Sequence, residues 1–102
     1  MSARSARFTA LVASQPENSL FRFSLAQALD AENRFAEATE HYRFCVASRA
    51  DWMMPRILLG KVLLRASAPA EAKPVLENAL QLAIEQHHEE PEAELRALLA
   101  AL

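Results

Sequence analysis

Glycine is almost missing from this chain: of 102 residues only Gly60 is one. A single glycine cannot build a glycine-rich phosphate loop, so nucleotide binding of that kind is excluded. Cysteine is equally scarce. Cys45 stands alone, which rules out a disulfide within the chain and points to a reducing compartment, the cytoplasm. No apolar run reaches the roughly 18 residues a membrane span needs. Net charge is only −2, too small and of the wrong sign for non-specific nucleic-acid binding. The three histidines are His41, His87 and His88. The adjacent pair cannot share a helix face and has no cysteine beside it, so a metal site is not expected. No two carboxylates are placed for acid–base work. Cys45 falls where a small buried residue is wanted, as an inert thiol rather than a nucleophile. Neither catalysis nor a cofactor is expected.

What remains is abundant alanine and leucine, 52% hydrophobic residues overall and few β-branched side chains. That composition favours helix throughout a single domain with a modest core. Charge is unevenly spread. Up to Ala66 there are nine Arg and Lys against six acids; from Ser67 on there are two against seven. Solvated helix faces account for this, or else head-to-tail contact or a ligand with a basic end.

The chain also repeats itself. Leu25-Ala26-x-x-Leu29 with Ala38-x-x-x-Tyr42 returns at one constant offset as Leu59-Gly60-x-x-Leu63 with Ala72-x-x-x-Leu76. Small residues meet small ones (Ala26/Gly60, Ala38/Ala72) and large ones meet large. Backwards, Phe8 precedes Tyr42, and Leu11 precedes Cys45, by the same offset. This pattern resembles the tetratricopeptide repeat (TPR), a helix–turn–helix unit of about 34 residues with small residues at its crossings. Arg22 and Arg56 stand where that family has an aromatic, and Asn33 and Ser67 where it has a turn glycine.

The resemblance implies an all-α, right-handed α-solenoid of antiparallel helix hairpins, about six helices in all. Its divisions are a half repeat 3–16, repeats 17–50 and 51–86, and a capping helix 91–102. Stacking would join apolar faces that are too small to be stable singly. Each turn has its own signal. Pro16 ends the first helix, and Asn18 or Ser19 caps the second. Asn33 suits a left-handed turn. Asp51 can cap the fourth helix, and Pro74 should bend the fifth or delay its start. Residues 1–14, with Arg4, Arg7 and no acid before Glu17, fit a folded half repeat, but also the composition of a transit peptide.

By position in such a repeat, the first helices line a concave groove presenting Leu20, Phe23, Gln27, Asp30, Met54, Ile57, Lys61 and Leu64. Carboxylate-clamping members of the family use polar side chains where Phe23 and Ile57 stand here. A mostly apolar groove suits a hydrophobic or amphipathic peptide. The expected function is therefore non-catalytic binding of another protein or peptide, by a scaffold or adaptor. The rival is a self-associating unit, a homodimer formed through the Phe8 helix or the groove, with the groove filled by the chain's own last helix. Trp52, Met53 and Met54 form a cluster that serves either as core filler or as an adaptable interface.

Overall fold

The computed structural model describes residues 2–102, in which six helices and no strand are found: α1 (Ala3–Ser14), α2 (Ser19–Ala31), α3 (Phe35–Ser48), α4 (Met53–Arg65), α5 (Pro69–Glu85) and α6 (Glu89–Ala100). The contacts divide the chain at Ala50/Asp51 into two compact units of three helices each. The bounds of α4 are those of α2 moved by the repeat offset, Ser19 falling on Met53 and Ala31 on Arg65, and the starts of α3 and α5 are related in the same way.

In the first unit α1 packs on α2, and α2 packs antiparallel on α3. Ser2 caps α1 by accepting the Ser5 N–H at 3.1 Å. Pro16 ends it by excluding Gln15 from the helical region; Gln15 adopts φ −137°, ψ 73°. Asn18 is the cap of α2: its Oδ1 accepts the N–H groups of Leu20 and Phe21, both at 3.1 Å. Leu25, Ala26, Ala28 and Leu29 of α2 meet Ala38, Tyr42 and Cys45 of α3 in a fully enclosed seam. Ala26 and Ala38 have no exposed surface at all, and so bring the helices close where larger side chains would hold them apart.

The second unit pairs α4 with α5 and α5 with α6. Buried residues occur all around α4, from Met53 to Leu63, so it lacks the one-sided pattern of a surface helix. At Gly60 a Cβ would lie 2.7 Å from Leu76 Cγ on α5, well inside contact distance, and Leu76 is itself fully buried. The one glycine therefore marks the α4–α5 crossing. Leu95 anchors α6 with no exposed surface.

Three helix ends share one geometry. Asn33, Ser67 and His87 have φ of 60°, 60° and 58°. After each, the next N–H reaches back five residues: Arg34 to the Leu29 carbonyl, Ala68 to Leu63 and His88 to Ala83, all at 2.9 Å. This is the Schellman closure, which usually recruits glycine. Here Asn33 enters the left-handed region at low cost, but Ser67 and His87 pay roughly 1–2 kcal/mol each.

Two sequence-based expectations are corrected and a third is narrowed. The last helix spans Glu89–Ala100 rather than 91–102. Pro91 sits in its first turn, where a missing N–H deprives no helical bond, so the proline does not mark the start. Asp51 does not cap α4. Trp52 occupies that position without a side-chain cap, and the Asp51 carbonyl instead accepts from Gln86 Nε2 at 2.8 Å. Pro74 does not delay α5, which runs unbroken from Pro69 because Pro69 sets the first helical φ. Pro74 and Ala70, whose carbonyl loses its donor, are both exposed, so water can replace the missing bond.

Candidate functional site: a cleft between α4 and α6

The eight groove residues expected from the sequence fall four in the first unit and four in the second. On α2, Leu20 is 62% exposed, while Phe23 and Gln27 are half-buried. Phe23 lies against Tyr42, ring centroids 6.1 Å apart and planes tilted by 60°. Asp30 accepts the Tyr42 hydroxyl at 3.2 Å and so has a structural partner.

On α4 the structure brings Met54, Ile57 and Lys61 together. They line a cleft of about 200 Å³ with Leu58 of the same helix and Glu90, Pro91 and Glu94 of α6. Leu64, half-buried one turn further on, is not part of its lining. Met54 is 45% exposed and Ile57 only 4%, so Ile57 forms the floor and Met54 the accessible edge. The volume falls below the usual size of a small-molecule pocket and suits about one or two side chains. Lys61 Nζ and Glu94 meet across the cleft at 2.9 Å with both side chains partly exposed. An ion pair in that setting contributes about 0–1 kcal/mol.

Leu58, Glu90, Pro91 and Glu94 were not anticipated from the sequence. The signal that would have found the last three is the Glu90–Glu94 spacing of four, which puts both carboxylates on one helix face. It goes unnoticed when the last helix is placed at 91–102, because Glu90 then falls in a loop.

The two arginines at the family's aromatic position do matching work, each within its own unit. Arg22 lies over the Phe44 ring at 4.2 Å, donates through Nε to the Pro16 carbonyl at 2.9 Å and approaches His41 Nδ1 at 3.4 Å. Arg56 is 7% exposed; its Nε donates to Asn78 Oδ1 at 2.6 Å and its Nη1 to the Trp52 carbonyl at 2.7 Å. Phe44 and Asn78 are again separated by the repeat offset. Each guanidinium thus ties the turn before its helix to the following helix. Burial lowers the Arg56 pKa. Burial first, and the Arg22 charge second, lower that of His41, which leaves the imidazole suited to accept from Arg22.

Cys45 is fully enclosed and donates to the Ser19 carbonyl at 3.4 Å; burial pushes its thiol up to about 11. At neutral pH it is a protonated packing residue and no nucleophile. Met53 is buried and Met54 exposed, which splits the Trp52 cluster between core and cleft. His87 and His88 are exposed, and among the described residues no three His, Cys, Asp or Glu side chains gather as metal ligands do. No helix of the described residues is long and apolar enough to cross a membrane.

With this geometry in place, two solved structures are informative. The type III secretion translocator chaperone SycD of Yersinia enterocolitica superposes with a TM-score of 0.83 over 96% of this chain and 74% of its own, at 20% identity. A protein of Bordetella parapertussis, determined in solution, superposes with a TM-score of 0.81 over 99% of this chain and 88% of its own, at 26% identity. No family model matches the chain, and no curated protein matches it by sequence. The fold is all-α and TPR-like.

Proposed function

We propose that this chain is a non-catalytic module that binds another protein or a peptide. The observation that carries the reading is the cleft beside α4. Apolar side chains line it, one of them is nearly half exposed, and α6 borders it without filling it. An apolar floor at Ile57 and Leu58 with Met54 exposed at its edge is the kind of surface a docking site uses. The fold agrees with this, since the same scaffold serves a translocator chaperone in SycD, although a fold alone assigns no function. The repeat divisions belong to the same reading: half repeat 3–16, repeats 17–50 and 51–86, and a terminal helix, Glu89–Ala100. The cleft then lies between the first helix of the second repeat and the terminal helix. On α2, Leu20, Phe23 and Gln27 are the matching positions of the first repeat.

The test compares wild type with Met54→Glu, chosen because Met54 is exposed and the substitution leaves the core intact. Each is used as affinity bait in extracts of the source organism. The expected result is a partner held by wild type and lost with Met54→Glu, at unchanged helicity and melting temperature. If every retained protein binds both baits equally, the reading is wrong. If the only partner is a second copy, seen as a sedimentation coefficient that rises with concentration and stops rising with Met54→Glu, the self-associating unit takes its place.

A further inference from the structure

The rim of the α4–α6 cleft has a sign, and this narrows what the proposed binding function can accept. Glu90 and Glu94 project from one face of α6, one turn apart, onto an apolar floor made by Ile57 and Leu58. The cleft holds one cation, Lys61, and Glu94 already neutralises it at 2.9 Å. Glu90 has no ion pair among the described residues, and Glu89 adds to the negative charge of the same helix start, whereas Glu92 is already paired with Arg96 at 3.0 Å. An incoming carboxylate would have to replace Glu94 on Lys61 and sit beside the displaced glutamate and Glu90. An incoming ammonium or guanidinium displaces nothing and finds Glu90 unpaired. We propose that the cleft takes a peptide segment in which an apolar anchor side chain is followed, within a turn or a few residues, by lysine or arginine. The apolar side chain enters between Met54 and Pro91, and the cation reaches Glu90. This inference rests on the binding function proposed above and adds the chemistry of the partner.

The experiment is selection of random twelve-residue peptides displayed on phage against the full chain. It is repeated with Glu90→Lys/Glu94→Lys, and with Glu90→Gln/Glu94→Gln as the milder pair should lysines disturb the helix start. Enriched peptides are synthesised with a dye, and their affinity is measured by fluorescence anisotropy. The expected outcome is enrichment of an apolar residue beside Lys or Arg. Binding should weaken about threefold to fivefold per carboxylate removed and fade with salt, as exposed charge pairs do. The lysine pair should select acidic peptides instead. Peptides that lose affinity with Met54→Glu yet carry no cation, or carry acids or a required C-terminal carboxylate, overturn this inference and leave the binding function standing. If no peptide is enriched, or those enriched ignore Met54→Glu, both fall.

Discussion

Position 60 shows how a single residue decides a helix crossing. Glycine within a helix costs about 1 kcal/mol relative to alanine, so a chain with only one would not place it there without cause. The cause is Leu76, enclosed on the facing helix, whose side chain a new Cβ would force to shift within a closed seam. Gly60→Ala is therefore expected to destabilise the protein by about 1–2 kcal/mol, overpacking outweighing the gain in helix propensity. Urea unfolding measures it. A second residue-scale expectation concerns Ser67, which holds φ 60° where a glycine would be unstrained. Ser67→Gly should raise stability by about 0.5–1 kcal/mol, part of the relief being offset by a freer unfolded chain. Glu32 supplies a third. Hydrogen bonds from Ser5 and then Ser2 hold its carboxyl at about 2 instead of 4.5. A lowered folded pKa stabilises above the unfolded value, and that contribution is lost as pH falls from 4.5 towards 2. The melting temperature of wild type should accordingly drop more steeply across that window than that of Glu32→Gln. Equal slopes would show that the Ser2–Ser5–Glu32 cluster contributes nothing.

At the scale of elements, the sequence was informative wherever a local chemical rule acts. Pro16, Asn18 and the left-handed turn at Asn33 each behaved as their residue type requires. So did the small residues at 26, 38, 60 and 72, all of them buried. What it did not reveal depends on partners distant in the chain. Asp51 looks like a cap, yet Trp52 takes that position. Pro91 looks like a boundary, yet it lies within the first turn of α6. A boundary at Pro91 conceals three of the seven lining residues, since the wall formed by Glu90, Pro91 and Glu94 exists only if α6 begins before the proline. The matching roles of Arg22 and Arg56 were equally invisible, because an arginine at an aromatic's position looks like a departure until its guanidinium is seen bonded to the preceding turn. For α6 itself the expectation is sharp. Leu95 is its one fully buried side chain, so Leu95→Ala should cost about 2–4 kcal/mol in the second unit. Amide exchange should quicken over Glu89–Ala100 with little change in α2 and α3.

Across the whole molecule, one constant offset recurs in the small residues, the helix bounds, the left-handed turns at Asn33 and Ser67 and the bonded arginines. The likeness to SycD extends over nearly the full chain at 20% identity. A fold can persist at that identity because crossings need only small residues and seams only apolar ones, while exposed positions such as Met54, Glu90 and Glu94 are free to vary. Where a ligand sits is therefore decisive. The most direct measurement is a nitrogen–proton NMR titration of the wild-type protein with a selected peptide. Shift changes are expected to concentrate at Met54, Leu58 and Lys61 on α4 and at Glu90 and Glu94 on α6. Changes confined to other surfaces, with these amides unmoved at saturation, would contradict binding in this cleft.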